Sequence, residues 1–190
     1  MALFQILRFN PHFFTNVPDI VLRQRSVEVN TFDDSLSQLG DEMLQILDEL
    51  DGTGLAAPQI GVLQRVIALN VMRPALKYSL RPPDPARVAR LRPIRAVLVN
   101  PEIIYRSPEE EPEREDCFNL PGYFGIVRRA CRVEVQARDV HGNNISLVAD
   151  DLVARVIQHE IDHLDGILYV DRMEAGERLV PQTELDEKVL

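Results

Sequence analysis

Two histidines and a glutamate within five residues carry the strongest chemical signal in this sequence, which reads His159-Glu160-Ile161-Asp162-His163. Residues four apart lie on one face of a helix, so His159 and His163 can bind the same divalent metal ion. Glu160 follows the first ligand and can act as a general base toward a metal-activated water without occupying the metal. The spacing predicts a metal-dependent hydrolytic site.

The third protein ligand does not follow from this spacing. A catalytic site of this kind uses three protein ligands and keeps one coordination position open. The remaining candidates along the chain are Cys117, His12, His141, Tyr169, Glu174 and Glu177. Tyr169 occupies the place of the third histidine in one class of metalloproteases, but tyrosine is a poor ligand at neutral pH. His141 falls in a predicted turn, where we expect it to be solvated. Cys117 offers a thiolate in a loop-like segment, whereas Cys131 lies in a strand pattern that favours a small buried side chain.

Two helices are predicted from the spacing of apolar residues. The first spans residues 32–50, with Thr31 or Asp33 as its cap. The second begins with a cap at residue 150 or 151, carries the histidine pair and stops at Gly166. The metal motif therefore lies on a helix whose other face reads as core.

Strands are predicted where β-prone or alternating apolar residues recur. They lie at residues 66–71, 96–105, 132–137 and 145–148. The last two form a hairpin, Pro101 indicates an edge or a break in the second, and the acid-rich segment 109–116 is predicted to be a solvated loop. These elements predict an α+β fold, in which short antiparallel strands and hairpins pack around a central metal-binding helix, with a second, N-terminal helix.

The length of the chain favours a single domain over residues 1–190. Lys and Arg number 21 against 30 Asp and Glu, and the net charge of −9 argues against binding to DNA. No apolar run is long enough to span a membrane and no leader is evident, so we expect a cytoplasmic protein. Residues 72–95 read as a basic, proline-rich surface insertion, and residues 171–190 as an acidic tail.

Three segments together resemble the peptide deformylase family. Gly52–Gln59 matches the glycine-rich first motif of that family, and His159–Gly166 matches the third. Glu115–Asn119 is similar to the second family pattern, Glu-Gly-Cys-Leu-Ser. The resemblance covers nearly the whole chain in the expected order. It implies an enzyme that removes the N-formyl group from the formyl-methionine of nascent polypeptides.

The resemblance also implies a metal set and a reaction. Cys117 becomes the third ligand beside His159 and His163. The ion in the family is usually Fe²⁺, with Zn²⁺, Ni²⁺ or Co²⁺ also accepted. Metal-bound hydroxide attacks the formyl carbon, and Glu160 acts as general base and then as general acid.

Further roles follow from the same resemblance. Gln59 and the backbone N–H of Phe118 stabilise the developing oxyanion. Gly54 allows the loop backbone to approach the substrate closely. Glu115 orients its surroundings through hydrogen bonds or an ion pair.

The helical face of His159 offers a substrate pocket. Leu152 and Val156 lie seven and three residues before His159, respectively, on the same face, where they can line an apolar pocket for a methionine side chain. Arg155 shares this face and is a candidate partner for Glu115.

The second motif departs from the family pattern at three positions. Asp116 replaces Gly, Phe118 replaces Leu and Asn119 replaces Ser. Asp116 adds a negative charge next to Cys117, from which we expect an altered substrate preference. The alternatives are a paralogue that acts on another N-formyl substrate, a non-catalytic formyl-peptide binder and a zinc endopeptidase.

Some family members contact the ribosome through a basic C-terminal helix. The tail of this chain, residues 171–190, carries six acids against three bases and does not match such a helix. The basic insertion at residues 72–95 is the alternative for a transient ribosome contact.

Overall fold

The computed structural model describes residues 14–72 and 92–186. The helices are α1 (Asp19–Leu22), α2 (Asp34–Leu50), α3 (Asp151–Leu164) and α4 (Thr183–Asp186). The strands are β1 (Gly54–Ala56), β2 (Val66–Val71), β3 (Ile94–Arg106), β4 (Glu110–Cys117), β5 (Leu120–Ala130), β6 (Arg132–Arg138), β7 (Asn144–Asp150) and β8 (Val180–Pro181). Single turns of 3₁₀ helix span Phe14–Asn16, Ala57–Ile60 and Tyr169–Arg172.

The strands form two antiparallel sheets. The order is β1-β2-β3-β6-β7 in the five-stranded sheet and β4-β5-β8 in the three-stranded sheet. Strand β2 and the β6–β7 hairpin confirm three of the predicted strands, each within about two residues at either end. The predicted α+β class is confirmed.

The two long helices pack on opposite faces of the five-stranded sheet. Alternate residues of β2 enter two hydrophobic clusters, one with α3 and one with α2, because successive side chains of a strand point to opposite faces. Leu69 contributes to the cluster with Ile157 of α3, and Ala68 to the cluster with Met43 of α2. A strand buried on both faces explains the apolar run Val66–Leu69 at the start of β2.

Helix α2 is capped by Asp33, one of the two predicted caps. The Asp33 carboxylate accepts hydrogen bonds from the backbone N–H groups of Ser35 and Leu36 at 3.0 and 3.2 Å. The helix ends at Leu50, and its C-cap Asp51 adopts the left-handed conformation (φ 51°). Gly52 follows this residue as predicted, and its N–H donates to the carbonyl of Leu47.

Strand β3 lies at the centre of its sheet, which corrects the suggestion of an edge strand at Pro101. The ladder to β6 shifts register between Val99 and Glu102, where Asn100 has φ 49°. This bulge accommodates the proline. At the bulge, the Asn100 side chain accepts a hydrogen bond from the N–H of Val29 at 2.9 Å and donates one to the carbonyl of Val29 at 2.8 Å.

The acid-rich segment 109–116 is a strand, not the predicted solvated loop. Strand β4 pairs with β5 along its length and turns back directly after Cys117, which lies opposite Leu120. Glu115 is buried within it, with 4% of its surface exposed. The prediction failed because arginines from neighbouring elements neutralise this carboxylate.

Helix α3 is buried from Val153 to Leu164 and is the central helix that was predicted. Its N-cap is Asp150, which makes no side-chain capping bond, and the N–H of Asp151 donates to the carbonyl of Cys131 at 2.7 Å. Gly166, with φ 75°, follows its end. Because the helix is buried at every position along this stretch, its packing restricts the movement of His159, Glu160 and His163.

The structure describes only part of the basic segment 72–95 and most of the acidic tail 171–190. Residues 73–91 of the predicted insertion lie outside the described residues, whereas Ile94 and Arg95 begin β3 and are not part of an insertion. The first part of the acidic tail packs on β5, where Pro181 pairs with Tyr123 and Val180 with Phe124. Within residues 14–72 and 92–186, no helix is long and apolar enough to cross a membrane.

Candidate metal centre and cleft

Cys117, His159 and His163 come together between strand β4 and helix α3. Each offers one ligand atom, and the three atoms lie within 4.8 Å of one another. The two Nε2 atoms are 3.2 Å apart, and the Cys117 Sγ is 3.4 Å from the His163 Nε2. Ligands about 2.0–2.3 Å from a tetrahedral ion stand roughly 3.3–3.6 Å apart. The spacing therefore fits a single ion, and the donor set matches the one that the resemblance implies.

Hydrogen bonds and burial shift the pKa values of the two imidazoles in opposite directions. The Glu115 carboxylate can only accept, so His159 donates to it from Nδ1 at 2.9 Å and keeps Nε2 for an ion. Burial opposes a charge on His159, but hydrogen bonds with Cys117 and Glu115 raise its pKa well above the usual value. Burial lowers the pKa of His163 well below its usual value, which keeps that ring neutral. The site thus favours one positive charge at its centre, as a bound cation would supply.

Glu115 anchors His159 through a buried group of charges. Arg129 donates two hydrogen bonds to its carboxylate, both at 2.9 Å, and Arg155 donates one at 2.7 Å. Burial alone would raise the pKa of Glu115, but hydrogen bonds and positive charge from Arg129 and His159 hold it well below the usual value. Arg129 also forms an ion pair with Asp162 of helix α3. The predicted pairing of Arg155 with Glu115 is present.

Glu160 lies beside the ligands with one oxygen unused. It is buried at 4% exposure, and its Oε2 has no hydrogen-bond partner among the described residues. Burial is the main cause that raises the pKa of Glu160 to about 7; a positive His159 opposes this shift and Glu115 adds to it. A carboxyl group with this pKa can both take and return a proton near neutral pH.

Gly54 brings the backbone of β1 against Glu160. A Cβ at this position would overlap the Glu160 carboxylate and would lie 2.6 Å from Val156 Cγ1. The sequence predicted that the backbone at Gly54 approaches the substrate closely. Within the chain itself, this backbone closely approaches the side chains of Glu160 and Val156.

Gln59 places its side-chain amide beside the metal set. It lies in the 3₁₀ turn after β1, and its Oε1 accepts from the N–H of Ala56 at 2.7 Å. This bond orients the amide so that Nε2 lies 3.4 Å from the Cys117 Sγ. An N–H donor in this place can stabilise negative charge that develops next to the ligands.

These residues border a cleft of about 500 Å³. Its walls include the predicted site residues Gly54, Gln59, Glu115, Cys117, Phe118, Leu152, Arg155, Val156, His159 and Glu160. His163 lies behind this wall, 1% exposed. Phe14 and Gln182, from opposite ends of the described chain, also border the cleft. It offers apolar walls for a side chain and polar groups at the metal end.

The three departures in the second motif contact flanking segments. The Asp116 carboxylate accepts from the Gln182 amide at 3.0 Å. The Phe118 ring stacks on Phe14, with centroids 5.0 Å apart, and the Asn119 amide donates to the Phe14 carbonyl at 2.8 Å. These replacements fix the segments that border the cleft.

The other ligand candidates lie elsewhere, apart from His12, which is outside the described residues. His141 is exposed in the β6–β7 turn, as expected, and Glu177 is also exposed. Glu174 forms a surface ion pair with Arg128 at 2.6 Å. Tyr169 stacks its ring on His159 at 6.3 Å, and its hydroxyl has no hydrogen-bond partner in the described ranges.

The sequence pattern placed Cys131 incorrectly and did not identify Arg129 as a residue of the site. Cys131 is half-buried at the junction between β5 and β6, not inside a strand. Arg129, which joins Glu115 to Asp162, was not predicted at all. The signal was the Arg128-Arg129 pair in an otherwise apolar strand, since alternation directs one of two neighbours inward.

A helix that supplies two histidines, a strand that supplies a cysteine and an adjacent buried carboxylate define a class of mononuclear metal hydrolases. A sequence model of the family described as Polypeptide deformylase matches residues 12–179. The chain is 42% identical to peptide deformylase 2 of Gloeobacter violaceus over 164 residues, which are 86% of this chain and 80% of that protein.

Solved structures agree with this match. The peptide deformylase of Synechococcus elongatus in complex with actinonin is 38% identical, with a TM-score of 0.69 over 90% of this chain and 80% of that one. The Met-Ala-Ser-bound peptide deformylase of Acinetobacter baumannii is 33% identical, with a TM-score of 0.68 over 80% and 92%. The chain belongs to the peptide deformylase family and is an amide hydrolase.

Proposed function

We propose that this chain removes the formyl group from the N-terminal formyl-methionine of nascent polypeptides in the cytoplasm. The observation that carries the proposal is the meeting of Cys117, His159 and His163 with Glu160 at a cleft, in a chain of this family. The Met-Ala-Ser peptide on the A. baumannii relative supports a methionine-first peptide as the ligand.

Cys117, His159 and His163 would hold one divalent ion, which when bound activates water and polarises the formyl carbonyl. A thiolate with two neutral imidazoles suits Fe²⁺, Zn²⁺, Co²⁺ or Ni²⁺. We propose Fe²⁺ in the cell, following the resemblance to the family.

Glu160 moves the proton. Its Oε2 takes a proton from the attacking water and returns it to the methionine nitrogen as the formamide C–N bond breaks, which releases formate and a free amine. Gln59 Nε2 and the backbone N–H of Phe118 donate to the oxygen that becomes negative. The oriented amide of Gln59, held by Ala56, supports this role because it needs no rearrangement during the reaction.

The methionine side chain would enter the part of the cleft lined by Leu152 and Val156. The guanidinium of Arg155 is held away from this side chain by Glu115 and by the carbonyls of Val127 and Glu111. Its aliphatic stem therefore remains for apolar contact with the substrate.

Formate release from formyl-Met-Ala-Ser tests the proposal, on protein purified without oxygen and analysed for metal. We expect release by the metal-loaded protein and a loss of at least about 100-fold in kcat for Glu160→Ala with metal retained. Glu102→Ala, which removes an exposed carboxylate from β3, is the matched control and should leave the rate unchanged. A metal-loaded, folded protein that releases no formate would contradict the proposal.

We also propose that the basic segment 72–95 makes a transient contact with the ribosome. Arg95 pairs with Asp48, and the other six basic residues of the segment, against one acid, support attraction to ribosomal RNA. Neutralising its arginines should abolish co-sedimentation with ribosomes, and a wild-type chain that never co-sediments would contradict this part.

A further inference from the structure

Arg114 differs from the other arginines near the site in its lack of an acidic partner. Arg129, Arg155 and Arg172 each form an ion pair with a carboxylate. Within the part of the chain that the structure describes, Arg114 forms none, and its Nε is buried without a hydrogen-bond partner. The guanidinium lies over the ring of Phe124, 5.2 Å from its centroid. A guanidinium carries five N–H donors, and the four on its two terminal nitrogens, unlike the buried Nε, remain for a ligand.

Arg114 borders the cleft on strand β4, three residues before Cys117. A strand advances ~3.3 Å per residue, which places Arg114 about 10 Å from the thiol along the cleft wall. An extended peptide with its formyl group at the metal set spans the same distance by its third residue. The third residue of a substrate would therefore face Arg114.

The acids of the cleft do not neutralise Arg114. Asp116 is two residues nearer the metal set, and its Oδ2 accepts from the Gln182 amide at 3.0 Å. Asp51 borders the cleft from the end of α2. Asp116 and Asp51 would favour a basic side chain at the third position of the substrate, whereas Arg114 would favour an acidic one. The charge preference of the enzyme at this position therefore shows which of these groups faces it.

We propose that Arg114 is a specificity-determining residue that selects formyl peptides with a carboxylate side chain at the third position. The inference rests on the proposed function, whose site it extends. The contact is a charge-assisted hydrogen bond at a partly exposed position, where such pairs change affinity by about three- to fivefold. The gain is expected in KM, because the third residue lies away from the reacting bond.

Three peptides that differ only at this position test the proposal: formyl-Met-Ala-Glu, formyl-Met-Ala-Gln and formyl-Met-Ala-Lys, all as C-terminal amides. We expect kcat/KM for the Glu peptide to exceed that for the Gln peptide about three- to fivefold, and the ratio to fall toward one in 1 M salt. Arg114→Gln should abolish the ratio, and Arg114→Lys should retain part of it. Arg128→Gln, which removes an exposed arginine of β5 that does not border the cleft, should leave it unchanged.

Binding of the deformylated peptides Met-Ala-Glu and Met-Ala-Gln, as amides, provides a readout that needs no turnover. Calorimetry on the metal-loaded wild type should give the same ratio of Kd values. Equal values for Glu and Gln, a preference that survives in Arg114→Gln, or a preference for Lys would overturn the inference. Failure to release formate from any peptide would contradict the proposed function alone, since the ratio of Kd values still decides the role of Arg114.

Discussion

Glu160 is a buried carboxyl group with one oxygen that lacks a partner among the described residues. Its neighbour Glu115 is equally buried, yet Arg129 and Arg155 pair with it. The two carboxyls therefore shift in opposite directions, and only the pKa of Glu160 moves to about 7. Environment alone separates a permanently charged positioning group from a group that can exchange protons.

This difference predicts how the metal-free protein responds to pH. The pKa of Glu160 is raised above its unfolded value of 4.5, so its contribution to stability is complete below pH 4.5 and lost as pH rises through about 7. We expect metal-free wild type to lose about 3 kcal/mol of unfolding free energy from this group between pH 4.5 and 8. Urea unfolding at several pH values checks this. Metal-free Glu160→Gln should lack that part of the decline, and identical profiles for both proteins would refute it.

Gly54 has no room for a side chain. In Gly54→Ala, the added Cβ must displace Glu160 or Val156, and a shift of about 1 Å at a reacting group can cost ~100-fold in rate. We expect kcat to fall by roughly that factor while the metal is retained. Gly40→Ala in helix α2 makes the same chemical change away from the cleft and serves as the control. Equal activities of the two variants would show that Gly54 is not needed for geometry.

Among the elements, the two long helices and four of the eight strands in the described residues could be predicted from the sequence. The apolar period predicted α2 and α3 because each packs its apolar side chains against the five-stranded sheet. Strand β4 was missed because its charges suggest solvation, whereas arginines on β5 and α3 neutralise the inward carboxylate of Glu115. Such pairing depends on contacts between residues 14 and 40 positions apart, which no local pattern contains.

Glu115 joins strand β4 to helix α3, and its removal should affect both. In Glu115→Ala, two buried arginines lose their shared partner, which costs about 3–5 kcal/mol of unfolding free energy. Since His159 also loses its orienting acceptor, we expect metal affinity to fall ~10–100-fold. Thermal unfolding and competition with a metal chelator measure the two effects. Glu110→Ala, an exposed position on the same strand, should change neither.

At the scale of the whole molecule, the metal set connects the two sheets. Spacing identified His159 and His163 because both lie within one helical turn, but Cys117 is 42 positions before His159 and needed the family resemblance. Cys117 belongs to the three-stranded sheet, whereas the helix packs on the five-stranded one. A bound ion would therefore stabilise the docking of one layer on the other.

Metal removal should lower the stability of the whole molecule. An ion present at about 100 times its Kd contributes ~2.7 kcal/mol, which shifts Tm by about 5–10 °C in a protein of this size. We expect this decrease on chelation, and we expect a chelator to have no effect on Tm in Cys117→Ser/His163→Gln. Calorimetric scans with and without zinc test this, and an unchanged Tm of metal-stripped wild type would contradict it.

Phe14 and Gln182 border the same cleft although they lie near opposite ends of the described chain. An affinity tag joined directly before Phe14 or directly after Gln182 would therefore start close to the cleft, where it can compete with a peptide for space. Kinetic constants of tagged protein will report this competition as an increased KM. Removal of the tags, or a tag placed in the β6–β7 turn at the exposed His141, avoids the artefact.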